Sequence, residues 1–355
     1  MRFLVFSILL FFVSCKDEQP VDPQPVPEDH FIRGADLSFL PLIESRGITF
    51  YNSAGTAENM LQTLKNNGVN TVRIRLWNNP ATVHSSFSEV KTFAARVKAM
   101  GMKIWLTLHY SDTWADPGHQ QTPAAWTGLS FTTLKDSLYN FTRKVMQEIN
   151  PEYIQAGNEI NPGMLLPYGD ISTNETQFTD LLKTACKAVR DQSASTKIII
   201  HYAGITGTQW FFDKLRGVDY DIIGLSWYPI WHGKDFNALK NTLTQLNQTY
   251  NKQTLVAETA YPFTLQWNDW TNNILGDNTQ IIYPDYPATP EGQKNFINQV
   301  KSVCKSANGC VGFGYWGGEW VAFDGPTSAT GSPWENQAFY DFSNKALPVV
   351  TAFAP

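Results

Sequence analysis

Eight short β-rich runs separated by stretches of helical periodicity occupy the chain from residue 31 onward, and few folds accommodate that alternation. The runs are 31–38, 71–77, 103–109, 153–159, 197–202, 222–228, 254–258 and 311–316. Several are almost unbroken apolar segments, as parallel strands covered on both faces require. Helical patterns fall between them at 57–67, 90–100, 132–148, 177–191, 235–250 and 291–307, and Gly101 sits where a glycine cap hands one helix over to the next strand. This is the inventory of an α/β chain folded as a (β/α)8 TIM barrel, one domain over 31–355. A doubly wound sheet is the competing arrangement, but no GxGxxG opens a helix after an early strand. Residues 262–290, rich in Asn, Asp, Pro and Trp, follow no regular pattern, and a loop of that length is expected to serve function.

Composition excludes several classes. With 43% hydrophobic residues a large core can form, and a net charge of −5 with only 17% charged residues leaves no basic footprint for nucleic acid. Aromatic residues make up 14% of the chain, including 12 Trp, a surplus that points to aromatic surfaces in a cleft for a neutral ligand. Four Cys and six His exclude a disulfide scaffold and a Cys-rich zinc protein. Cys304 and Cys310 are close enough in sequence to pair in an oxidising compartment, leaving Cys186 free; equally, all three can stay reduced.

The N-terminus carries an address. Residues 1–15, MRFLVFSILLFFVSC, join one Arg to an apolar run too short to span a bilayer, the form of a secretory signal. FVSC resembles a bacterial lipobox, which makes Cys15 the lipidated first residue of the mature protein and its anchor to the membrane; an ordinary cleavable signal is the alternative. Lys16-Asp17-Glu18 resembles the tag that sends some Gram-negative lipoproteins to the outer surface, so an outer-membrane, cell-surface location is expected. Residues 16–30, including QPVDPQPVPED, read as a Pro-rich solvated tether.

In such a barrel the chemistry projects from the carboxyl ends of the strands. Those ends read Asp36, Arg75, His109 with Asp112, Asn158-Glu159, Tyr228, Glu258 and Trp316. Glu159 and Glu258 each close an apolar strand, where a carboxylate is costly unless partnered. One alone would read as a helix cap. Two, at the fourth and seventh strand ends, can face each other across the mouth, and retaining glycosidases need two carboxyls about 5–5.5 Å apart.

Six segments carry a resemblance: GADLSFL at 34–40, TVRIRLWNNP at 71–80, HYSDTWADPGHQ at 109–120, QAGNEINPG at 155–163, GLSWYPIWHG at 224–233 and AETAYPF at 257–263. In this order they resemble the endo-β-1,4-galactanases of glycoside hydrolase family 53, within a large clan of retaining barrel glycosidases. The resemblance implies Glu159 as acid/base and Glu258 as nucleophile. It also implies Asn158 on the sugar 2-hydroxyl, Tyr228 donating to the nucleophile, and Trp316 as the platform beneath the cleaved sugar. Arg75 is expected to keep Glu258 ionised; Asp36, His109 and Asp112 to read hydroxyls or orient the carboxylates; Trp231 to line the cleft, with Trp77, Trp114, Trp227 and Trp320 as further candidates. Two departures stand out. Leu166 occupies a position where such enzymes often carry a tryptophan, and the segment after the last strand is short. Some members hold a structural calcium ion between their last two long loops; Asp269, Asp277 and Asp285 offer oxygen ligands here, without a fixed spacing.

The expectation is an endo-acting hydrolase of β-1,4-galactan or type I arabinogalactan that needs no cofactor. The alternatives are another retaining endo-glycanase of the clan, on mannan, xylan or glucan, and a glycan-binding surface lipoprotein without turnover. No HExxH and no GxSxG are present, so zinc and serine hydrolase chemistry are not indicated.

Overall fold

A computed structural model describes residues 30–355; the expected signal segment, Cys15 and the tether through Asp29 lie outside the described residues. In chain order the elements are β1 (Ile32–Asp36), α1 (Leu40–Ser45), α2 (Met60–Asn66), β2 (Thr71–Leu76), α3 (Phe87–Ala99), β3 (Lys103–Leu108), α4 (Phe131–Glu148) and β4 (Tyr153–Ala156). A small antiparallel hairpin follows, β5 (Gly163–Met164) and β6 (Gly169–Asp170). The second half runs α5 (Glu175–Arg190), β7 (Lys197–Ala203), α6 (Thr208–Asp213), β8 (Ile222–Ser226), α7 (Pro229–His232), α8 (Phe236–Tyr250), β9 (Gln253–Thr259), α9 (Pro290–Ser306) and β10 (Cys310–Tyr315). Eight of these strands pair in parallel and close on themselves in the order β1-β10-β9-β8-β7-β4-β3-β2, the expected (β/α)8 barrel.

Local signals set the element ends. Ser86, Ser130, Asp235 and Thr289 cap α3, α4, α8 and α9 by accepting a backbone N–H with their side chains, and Pro290 opens α9 at a position where no amide is needed. Each helix buries one stripe, such as Leu239, Leu243 and Leu246 of α8, against outward-facing strand residues. Strand residues of the other parity fill the barrel. Ile32, Trp105, Ile199, Ile222, Leu255, Ala257 and Val311 form that inner plug. Trp105 is its largest member, and Gly314 must lack a side chain because a Cβ there would stand 2.7 Å from the Ala257 carbonyl and 3.1 Å from the indole. Above this plug the interior positions turn polar, which is where the site begins.

Cys186, Cys304 and Cys310 are buried free thiols, and Cys304 and Cys310 lie side by side. Residues 262–290 contain one short 3-10 turn (Asn278–Gln280) and lie against the segment after β10. Trp270 N bonds Ser328 O, Ile274 N bonds Pro333 O, and Asn336 Nδ2 bonds the carbonyls of Thr264 and Leu275.

Candidate active site

Arg73 of β2 stands on the Trp105 plug, its guanidinium carbon 5.4 Å from the indole centre. Nη1 lies 2.7 Å from Asp36 Oδ2, and Nη2 lies 2.6 Å from Glu258 Oε1 and 2.8 Å from Asn158 Oδ1. One nitrogen therefore ties the strand end that carries Glu159 to the one that carries Glu258. All three charged groups are buried. Burial works against the Arg73 charge, but Glu258 and Asp36 outweigh it and raise its pKa. Asp36 spends its other oxygen on the Ser38 amide and hydroxyl, at 3.0 and 2.6 Å.

Glu258 reaches the mouth through an irregularity in β9. Leu225 pairs with Val256, but Ser226 pairs with Glu258, so one extra residue is accommodated. Val256 packs outward on the helices while Leu255 and Ala257 point into the barrel. Strict alternation would send Glu258 outward too; the bulge turns it in beside Ser226. Tyr228 donates its hydroxyl to Glu258 Oε2 at 3.0 Å. Burial, opposed by Arg73 and Tyr228 but reinforced by Asp36, leaves Glu258 above the usual carboxylate range.

Glu159 follows β4 in a left-handed backbone conformation, φ 47°, two residues after Gly157 at φ 87°. A non-glycine residue held there is strained, and the tight turn aims its carboxyl into the mouth. Oε1 accepts from Ser226 Oγ at 2.5 Å, and Ser226 Oγ lies 2.9 Å from His201 Nε2. Burial first, then the charge of Glu258, raises the Glu159 pKa to about 8. Of the two carboxyls Glu159 is thus the one that keeps its proton at neutral pH, because among the described residues no cation touches it as Arg73 touches Glu258.

These groups open into a cavity of about 530 Å3. Its aromatic lining is Trp114, Tyr228, Trp231, Trp316, Trp320 and Trp334, with Ile274 and Pro333 from the two long loops. Trp316 meets Trp334 edge to face at 4.7 Å, and Trp231 lies over Trp334 at 6.4 Å with 52% of its surface exposed. Such indole faces suit the C–H faces of pyranose rings. His109 lines the same cavity, its Nδ1 accepting from Ala115 N at 3.0 Å; burial, reinforced by Arg75, holds it well below the usual histidine range. Asn158 completes the floor, donating from Nδ2 to Ala115 O at 2.8 Å.

Several expectations need correction. Arg73, not Arg75, is the arginine on Glu258; Arg75 lines the cavity wall instead, bonded to Ser85 Oγ and His84 Nε2. The two have the same strand parity, and only the barrel's stagger decides which meets β9. Asp112 does not line the cavity. Its two oxygens accept from Asn79 N and Ala124 N and pin neighbouring loops, while Asp116 lines the cavity. Trp227 is fully buried, stacked at 5.9 Å on Phe296, and Trp77 packs behind the wall; neither is a cleft residue. Leu166 does not line the cavity either. The loop acids do not gather: Asp277 caps the 3-10 turn and Asp269 is buried near Glu335, and among the described residues no group of three or more His, Cys, Asp or Glu could hold a metal ion. Arg73, Gln155, His201, Ser226 and Trp334 also belong to the site, and no local sequence pattern by itself marks them. The usable signal for His201 was its place two residues after Ile199, on the inward parity of an apolar strand.

Comparison with known proteins agrees with this architecture. The model of glycosyl hydrolase family 53 matches residues 32–353. An arabinogalactan endo-beta-1,4-galactanase of Cellvibrio japonicus is 35% identical over 343 residues, covering 91% of this chain and 90% of that protein. An endo-beta-1,4-galactanase of Bacillus subtilis is 30% identical over 91% of this chain and 85% of its own length. Among solved structures, the family 53 catalytic domain of Ignisphaera aggregans superposes with a TM-score of 0.86 at 39% identity, over 94% of this chain and 99% of that one. With a matching family model over nearly all the described residues, and the two glutamates at the mouth of a closed barrel, the chain belongs to glycosyl hydrolase family 53 and is a glycosidase.

Proposed function

We propose that the protein is an endo-β-1,4-galactanase acting on galactan or type I arabinogalactan, with Glu159 as acid/base and Glu258 as nucleophile. The observation that carries this reading is the asymmetry between two carboxyls in one aromatic cleft: Arg73 lies 2.6 Å from Glu258 and favours its charged form, while Glu159 meets the Ser226 hydroxyl and its pKa is raised to about 8. Glu258 attacks the anomeric carbon as Glu159 protonates the departing oxygen. Loss of the Glu258 charge in the glycosyl-enzyme then lowers the Glu159 pKa, so the same group accepts a proton from the incoming water. Asn158 is placed by Arg73 and Ala115 to contact the sugar, and Trp316 and Trp231 to carry rings in successive positions. Two carboxyls suffice for this chemistry without a cofactor. The relatives named for galactan support the choice of polymer.

The test is product release from linear β-1,4-galactan beside mannan, xylan and cellulose. Galacto-oligosaccharides are expected from galactan alone, with turnover down at least about 1,000-fold in Glu258→Ala. Cleavage of another polymer would overturn the substrate, and galactan binding without any cleavage would overturn the enzyme. The N-terminal segment extends the proposal to a surface lipoprotein anchored through Cys15. Replacing Cys15 with Ser is expected to move the protein from the membrane fraction to the soluble one, and an unchanged distribution would sink the anchor.

A further inference from the structure

The Ser226 hydroxyl lies between two groups that fix its direction. Gln155 Oε1 is within reach of Arg73 Nε and Trp105 Nε1, which only donate, so its amide nitrogen is the end that faces His201. That nitrogen shares two hydrogens among Gly157 O, Asn158 Oδ1 and His201 Nδ1, each at 3.0 Å, while the Glu159 backbone N–H donates to His201 Nδ1 at 3.3 Å. Asn158 Oδ1 is 3.1 Å from the same ring nitrogen but already accepts from Arg73 and Gln155. Nδ1 is therefore an acceptor, and the one proton of the neutral ring sits on Nε2. Burial and Arg73 keep the ring neutral. Nε2–H donates to Ser226 Oγ at 2.9 Å, so the hydroxyl's only hydrogen is left for Glu159 Oε1 at 2.5 Å.

We propose that Ser226 and His201 are positioning residues that keep Glu159 Oε1 an acceptor throughout the reaction, so that the transferable proton resides on Oε2. That oxygen has no hydrogen-bond partner among the described residues, and Glu159 lines the cavity. The assignment rests on Glu159 being the acid/base. In the first step the Oε2 proton passes to the glycosidic oxygen as its bond to the anomeric carbon breaks and the bond to Glu258 forms. In the second, water gives a proton back to Oε2 as its oxygen replaces Glu258. A lone buried carboxyl could present its proton on either oxygen; this one presents it on the oxygen left to the substrate.

The hydroxyl also stabilises the charged form of Glu159 and so holds its pKa below what burial and Glu258 alone would impose. Removing it raises that pKa. The other charged or titratable groups facing Glu159 are Glu258 and Tyr228 across the mouth, Arg73 below, Asp116 from the loop after β3, and His201 behind, with His109 and His232 on the cavity wall. Burial holds all three histidines low and Tyr228 high, so the basic limb of activity reports Glu159.

The experiment is the pH profile of kcat/KM and kcat for the unmodified protein, Ser226→Ala and Ser226→Thr, on whichever polymer of the panel the unmodified protein cleaves. The basic limb is expected near pH 8. Ser226→Ala should move it up by about one pH unit and lower kcat on the plateau about tenfold with KM little changed, while Ser226→Thr restores both. A limb that stays or moves down in Ser226→Ala, or threonine and alanine variants that behave alike, would overturn the proposal. If Ser226→Ala does not fold, Ser226→Cys replaces it; its weak thiol donor is expected to give a smaller shift of the same sign, and no shift is again the overturning result. Failure of the acid/base assignment is seen separately, as full activity in Glu159→Gln, and removes both.

Discussion

Two arginines two residues apart on β2 divide the cleft into a charged floor and an aromatic wall. Arg73 and Arg75 are 2% and 3% exposed, so both cations are taken out of water. Arg73 is compensated by Asp36 and Glu258 at 2.7 and 2.6 Å. Arg75 has no ion pair among the described residues. Its guanidinium carbon lies 4.0 Å from the Trp114 ring centre, 4.5 Å from Trp77 and 4.8 Å from Phe39, and Nη2 bonds His84 at 2.8 Å. Because arginine can only donate, His84 Nε2 accepts and its proton sits on Nδ1, 3.3 Å from Glu89 Oε2. Burial depresses Arg75 to about 10, whereas the carboxylates raise Arg73. The same side chain thus does two jobs. On the floor it fixes the charge of a reacting group; on the wall it fixes the orientation of rings that a sugar would meet.

That division can be broken by substitution. Arg73→Met strands two buried carboxylates and should cost about 3–5 kcal/mol in urea melts. Activity should fall too, and an Arg73→Met protein as stable as its parent would dissolve the contrast. Arg75→Met breaks no direct ion pair, although Asp36, Glu319 and Glu89 lose a nearby positive charge. Its stability is expected to stay within about 1 kcal/mol of the parent, with the loss appearing as a roughly fivefold rise in KM as Trp114 loses its cation. The smallest effect belongs to His84→Gln, within about 0.5 kcal/mol, because an amide can accept from Arg75 and donate to Glu89 at once. Were His84→Gln to raise KM as far as Arg75→Met, the wall would depend on the imidazole ring itself rather than on its hydrogen bonds.

The frame was legible in the sequence because continuous apolar runs of strand length leave little freedom. Predicted 71–77 became Thr71–Leu76, and 103–109 became Lys103–Leu108. Glu159 and Glu258 stood out for the same reason, as charges closing such runs. Partner choice did not stand out. Arg73 and Arg75 share a face, and which one meets Glu258 depends on strand stagger and on a one-residue bulge in β9, neither written in any local pattern. Ser226 and His201 read as ordinary polar residues until the inward parity of Ile199 and Ile222 is known. Among the tryptophans, Trp227 stacks on Phe296 of α9 while Trp334, in the segment after β10, opens onto the cavity, placements set by tertiary packing that no local pattern records.

The left-handed backbone at Glu159 sets the direction in which this protein can drift. That conformation suits glycine or asparagine better than glutamate, and the site adds the cost of a buried, protonatable carboxyl. A lineage that loses Glu159 to either residue sheds both penalties at once while keeping the barrel and its tryptophans. Inactivation is then the thermodynamically downhill step, and what it leaves behind is a sturdier sugar-binding protein.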